Sequence, residues 1–152
     1  MQTTDPTSDS PTLSKRAARR LIQRAFVLAG RDRIVRQHIR EARLTTSWVL
    51  EDWKLAWTLI LDRGKLDFDR RPIKNADLIL IWTSASAFFQ EVQNATRSRG
   101  WLGAGQRGEA PEAKLNGDVQ LAKVLEPVYF AFCAALRELL INPVDENGDP
   151  LV

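Results

Sequence analysis

The sequence predicts an all-α fold: a single-domain bundle of about five helices, with flexible N- and C-terminal tails at residues 1–13 and 143–152. Three observations carry this expectation. Apolar residues recur at helical spacing over several separate stretches, Gly and Pro punctuate the intervals, and no segment reads strongly as a strand. The chain of 152 residues suits one domain, placed at 14–142, and its 44% apolar and 27% charged content is ordinary for a globular protein.

Residues 1–13 are rich in Thr, Ser, Asp and Pro, which predicts a loose tail. Ser14 is placed to cap a helix over 15–29, and Gly30 to end it. Its apolar side is Ala17, Ala18, Leu21, Ile22, Ala25, Leu28 and Ala29. A second helix over 32–43 sets Ile34, Val35, His38, Ile39 and Ala42 against Arg33, Arg36, Arg40 and Arg43. Together, 15–43 reads as a basic helical hairpin.

The run Thr45-Thr46-Ser47 caps a third helix that ends at Gly64, with apolar stripes on two sides. The segment 65–75 reads as a charged loop, and Asn75 caps a helix over 76–99. In that helix LILIW (78–82) alone would suit a strand, but the 3.6-residue period continues beyond it. A Gly-rich loop follows at 100–117. Asp118 caps the last helix, and Pro127 kinks it. Beyond the kink, VYFAFCAALRELLI is apolar almost all round, which predicts a central helix or an oligomer face.

Charge is unevenly distributed. Residues 15–43 hold ten Lys or Arg against Asp32 and Glu41, while the remainder holds twelve bases against seventeen acids. The first helix has no acid to form i,i+4 pairs, so its cations are uncompensated, and a polyanion is the expected partner. An acidic protein and plain solvation are the competing readings. A membrane partner is not expected, because the first helix lacks Trp and its apolar face is rich in Ala.

Several chemistries are excluded or left without support. Lone Cys133 rules out an internal disulfide and a Cys-rich metal site. A single histidine rules out triads and His-based metal centres, so no metal and no cofactor are expected. The pairs Asp67/Asp69 and Asp145/Asp149 lack the ligand count of a calcium loop. GAGQRG (103–108) has the spacing of a dinucleotide fingerprint but not the preceding strand, so it reads as an inter-helix loop. Within and around it, Arg97, Arg99, Trp101 and Arg107 are candidate contacts to a nucleic-acid strand. Among the tryptophans, Trp48 is the one expected at a surface. The N-terminus lacks the regions of a signal peptide, and no apolar run reaches membrane-spanning length; a cytoplasmic protein is expected.

His38 lies mid-face on the second helix, which predicts a core histidine. The spacing Arg31 to His38 also resembles the R-x(4–6)-H motif of HEPN-type ribonucleases, all-α domains whose Arg and His attack the RNA 2′-hydroxyl. That resemblance implies a metal-independent ribonuclease. In build, short, helical, basic on one side and without catalytic residues, the chain resembles the small subunits of CRISPR ribonucleoprotein effector complexes. This second resemblance implies a non-enzymatic, multi-copy subunit that binds RNA or single-stranded DNA along its backbone. Lys15, Arg16, Arg19, Arg20, Arg24, Arg33, Arg36, Arg40 and Arg43 would then meet phosphates. A helical adaptor docking on an acidic protein is the alternative without nucleic acid.

Overall fold

The computed structural model describes residues 14–71, 73, 75–94, 113–117, 119–145 and 147–150. Helix α1 (Lys15–Arg31) is followed by α2 (Arg33–His38) and the strands β1 (Arg43–Leu50), β2 (Leu55–Asp62), β3 (Lys65–Asp69) and β4 (Leu78–Trp82). Helix α3 (Ala85–Asn94), strand β5 (Ala113–Gly117) and helix α4 (Val119–Ile141) complete the order. The strands form one mixed sheet, β3-β2-β1-β4-β5, with β1 antiparallel to β2 and parallel to β4. The chain is therefore α/β, and the all-α expectation is wrong.

The third expected helix is the β1–β2 hairpin. Leu44, Thr46, Trp48 and Leu50 point to the inner face of β1, and Trp57, Leu59 and Leu61 do so on β2. Thr46, Ser47 and Trp48 are all buried in succession, so both faces of β1 are covered and alternation is lost from its sequence. Gly64, read as a helix stop, instead sits in the turn that joins β2 to β3. There Arg63 and Gly64 have φ of 50° and 93°, the left-handed pair that a two-residue hairpin turn requires. The charged loop at 65–75 begins with β3, and LILIW is β4.

Helices α1, α3 and α4 lie on the inner face, and aromatic side chains hold the layers together. Phe26 of α1 meets Trp48 at 5.4 Å and Trp57 at 5.9 Å between ring centroids. Phe132 of α4 stacks on Phe26 at 4.8 Å and meets Trp48 edge-on at 5.0 Å, while Phe88 of α3 meets Trp82 at 5.0 Å. Trp48, expected at a surface, is 1% exposed at the centre of this cluster. The outer stripe of a presumed helix was the inner face of a strand.

Helix α1 follows the sequence closely. Ser14 Oγ accepts a hydrogen bond from the Ala17 amide at 3.0 Å, and the Ala18, Leu21, Ile22, Ala25 face is buried. Ser14→Ala should lower stability by about 1 kcal/mol, a melting shift of about 2–4 °C on a thermal scan. Gly30 does not end the helix, which runs on to Arg31; a Cβ on Gly30 would stand 3.3 Å from the Leu66 carbonyl oxygen, so its role is close approach to β3. Within the expected C-terminal tail, Asp145 Oδ1 accepts from the Asn147 and Asp149 amides, and Val144 bridges to Pro150. The tail at 1–13, the glycines of GAGQRG and the Asp118 cap lie outside the described residues.

Candidate functional site

The 15–43 stretch is not a helical hairpin. Asp32, in extended backbone at φ −66° and ψ 127°, breaks it into α1 and a six-residue α2, and the chain then enters β1. The Asp32 carboxylate accepts from the Val35 amide at 3.0 Å and so starts α2. Val35 is the buried residue of α2 and turns inward, which leaves Arg33, Ile34 and Arg36 outside.

This bend stands α2 beside α4 and opens a groove of about 740 Å³ between them. Its α2 wall is Ile34, Val35 and His38; its α4 floor is Pro127, Phe130, Ala131 and Ala134. A second groove of about 440 Å³ shares Asp32, Ala131 and Ala134 and continues past Leu28 of α1 toward Leu139 and Val144. Ile34 is 65% exposed at the mouth. The small alanines of α4 make the floor low, and the larger side chains of its opposite face are buried in the aromatic core.

Of the polar side chains bordering the groove, Asp32, His38 and Arg137 have structural partners, and Glu126 also lines it. His38 is exposed, against the expectation of a core histidine; its Nε2 lies 3.2 Å from the Val124 carbonyl oxygen, which can only accept, so the ring donates there. Arg137 Nη1 donates to the Val92 carbonyl at 2.7 Å and ties α4 to α3. Beneath the groove, on the inner side of α4, burial pushes the Cys133 thiol up to about 12 and raises the Tyr129 hydroxyl well above its usual range. Such a thiol is a poor nucleophile.

The candidate phosphate contacts are dispersed. Lys15, Arg16, Arg20, Arg33, Arg36, Arg40 and Arg43 are exposed, Arg19 and Arg24 are half-buried, and Arg43 faces Asp62 at 3.7 Å. Arg97, Arg99, Trp101 and Arg107 lie outside the described residues. Arg31 ends α1 and His38 ends α2, so the break at Asp32 removes them from the common helix that the ribonuclease motif needs. Asp67 and Asp69 lie on β3, where Asp69 pairs with Arg71 at 3.2 Å. Among the described residues no group of His, Cys, Asp or Glu is arranged to hold a metal ion, and no helix is long and apolar enough to cross a membrane.

A mixed sheet covered by helices on one face, with an apolar groove between α2 and α4, is an α/β architecture rather than a helical scaffold. Among solved structures, the chain is similar to sterol carrier protein 2, with a TM-score of 0.55 and 12% identity over 84% of this chain and 98% of that one. It is also similar to a conserved hypothetical protein of Thermus thermophilus for which a sterol carrier assignment is suggested, with a TM-score of 0.52 and 12% identity over 85% and 90% of the two chains. A stereoselective inverting sec-alkylsulfatase of Pseudomonas sp. matches 59% of this chain at 22% identity and a TM-score of 0.43, but the chain spans only 13% of that enzyme. No family model and no curated protein matches the sequence.

The two sterol-carrier likenesses agree with the α/β fold, and that fold overturns the nucleic-acid reading. The CRISPR small-subunit and HEPN-ribonuclease resemblances both require an all-helical domain, and the adaptor reading requires the basic hairpin. With them go the nucleic-acid and multi-subunit partners. Apart from His38, singled out for another role, the groove residues escaped the sequence reading, although one signal was present. The outer apolar surplus of α4, Phe130, Ala131 and Ala134, is what made that helix look apolar all round, and it is the groove floor.

Proposed function

We propose that this chain is a non-catalytic, cytoplasmic carrier that holds an apolar, sterol-like ligand along α4, in the groove walled by α2. The single observation behind this reading is the groove itself. Its 740 Å³ falls in the size range of small-molecule sites, and its floor and α2 wall are mainly aliphatic and aromatic. Likeness in fold to sterol carrier protein 2 supports the ligand class. The non-catalytic part rests on the groove's polar groups. Asp32, His38 and Arg137 each hold a backbone group in place, Glu126 is the remaining charged side chain, and among the described lining residues there is no Ser, Thr, Cys or Lys to act as a nucleophile.

Filling the floor tests the proposal. Ala134 is exposed, so Ala134→Trp should keep stability within about 0.5 kcal/mol of the wild type. Displacement of bound diphenylhexatriene by a sterol should need at least about tenfold more sterol, equivalent to about 1.4 kcal/mol. Unaltered displacement in a folded Ala134→Trp protein would remove the groove as the site.

A further inference from the structure

The two grooves along α4 differ in charge. The larger, of about 740 Å³, sets Asp32 and Glu126 against His38 and Arg137 over an apolar floor. The smaller, of about 440 Å³, is lined by Asp32, Glu138 and Asn142 among aliphatic side chains, with no Lys, Arg or His among the described residues of its lining. The chain carries a net +3, and Arg31, Arg33, Arg36 and Arg40 are exposed, yet they line neither groove. Both carboxylates of the smaller groove have acceptor capacity left. Asp32 gives Oδ1 to the Val35 amide, and among the described residues neither Asp32 nor Glu138 forms an ion pair. The backbone adds the same sign. Helix α1 ends at Arg31 and α4 at Ile141, and Leu28, Ala29, Glu138 and Leu139 of these last turns line the groove. Each helix C-terminus carries about half a negative charge.

From this juxtaposition we propose that the smaller groove is a head-group subsite for an ammonium-type cation, and that the carried ligand is a cationic amphiphile with its apolar tail in the larger groove. The assignment rests on the carrier reading. Asp32, Ala131 and Ala134 line both grooves, so a tail over Phe130 and a head between Asp32 and Glu138 lie on one continuous path. Glu138 follows Ala134 by one turn of α4 and therefore shares its face. A fatty acid or a phosphate ester would set its charge against two carboxylates and two helix ends, and such a like-charge contact rejects the wrong ligand. The arginines of α2 do not reverse the preference, because they stand in water outside the lining, where salt screens them.

The test displaces bound diphenylhexatriene from the full chain with decyltrimethylammonium, decanol and decanoate, which share one tail and differ in head. Each is used below its micelle or solubility limit, at neutral pH and low salt. The ammonium should displace the probe at a concentration at least about tenfold lower than the carboxylate, with the alcohol between them. Raising salt to about 0.5 M, where charges are screened within a few Å, should narrow that ratio. Asp32→Asn with Glu138→Gln removes both charges at nearly constant shape, and Asn still caps α2. In that variant the ammonium and the carboxylate should differ by less than about threefold, with displacement by decanol unchanged. Glu138→Gln alone, which leaves the Asp32 cap intact, should lower the ratio part of the way. Circular dichroism and melting must show that both variants stay folded. Equal displacement by ammonium and carboxylate in the wild type, a preference for the carboxylate, or a preference that survives loss of both charges would overturn the proposal. Decanol separates the two readings. Displacement by decanol without any head-group preference leaves the carrier standing and removes only this subsite, whereas no displacement by any of the three removes both.

Discussion

Phe132→Ala should remove a large share of this protein's stability. Phe132 is fully buried where α4 meets the sheet and touches three rings, Phe26 at 4.8 Å, Trp48 at 5.0 Å and Phe88 at 6.1 Å. Truncation removes the ring's burial and leaves a cavity that rigid neighbours cannot fill, an effect of about 3–5 kcal/mol. A domain of this size has only about 5–15 kcal/mol of stability, so the change removes a large share of it. Urea unfolding should show the midpoint falling by roughly 2 M, at an m-value of about 2 kcal/mol/M. Phe130→Ala is the control. Phe130 is half-buried in the groove wall, and its truncation should cost clearly less. Equal losses at the two positions would mean that the aromatic cluster does not tie the helices to the sheet.

The same cluster explains what the sequence disclosed and what it hid. Helix α1 was legible because it is covered mainly on one side: Ser14 caps it, Ala18, Leu21, Ile22, Ala25, Phe26 and Ala29 are buried, and Lys15, Arg16 and Arg20 are exposed. The central strands β1 and β4 were hidden by cover on both faces. In β4, Leu78, Leu80 and Trp82 are buried inward while Ile79 and Ile81 are half-buried outward, so no polar residue marks the alternation. The hairpin turns were hidden by their residues. Lys54, at φ 55°, closes the β1–β2 turn without Gly, Asn or Pro to announce it. Residues spaced as Leu50, Trp53, Trp57 and Leu61 then fit a helix by coincidence.

The candidate site was legible only in part, for a physical reason. The surplus of cations and the apolar surplus of α4 are local properties, visible residue by residue. The groove is not local, since His38 and Val124 meet across 86 residues. That contact depends on the bend at Asp32, which places α2 beside α4 rather than in line with α1. Sequence periodicity assigns a residue to a face of its own helix; it does not say which helix stands opposite. His38 fell on the apolar side of a helix expected to run to residue 43. Ending that helix at His38 and starting β1 at Arg43 turned the imidazole out to the rim of the groove.

Alkali should destabilise the fold well before it affects an ordinary surface, and one Cys and one Tyr make the effect readable. Cys133 and Tyr129 lie one turn apart on the buried side of α4, and both are held neutral chiefly by burial. The thiol is pushed up to about 12 from an ordinary 9.0, and the phenol goes well above its ordinary 10.0. Both groups are neutral when protonated, so the folded chain keeps protons that the unfolded chain releases. Stability is therefore fully present below about pH 9 and falls as pH rises from there. Cys133 alone gives a slope of about 1.4 kcal/mol per pH unit, and Tyr129 adds a second such slope above about pH 10. By pH 11 Cys133 alone should have cost about 3 kcal/mol, and ionisation of Tyr129 in the unfolded chain adds to that loss. Urea unfolding at stepped pH measures it, and the tyrosinate absorbance band reports Tyr129 alone, because the chain has no other tyrosine. Ionisation of the phenol should coincide with loss of the near-ultraviolet circular dichroism of the tryptophan core, not precede it. In Cys133→Ala the first slope should vanish, leaving stability level from pH 9 to about pH 10 before Tyr129 takes effect. A tyrosine that titrates near its ordinary value in a protein still folded would show that water reaches the inner side of α4, and both slopes would then be absent.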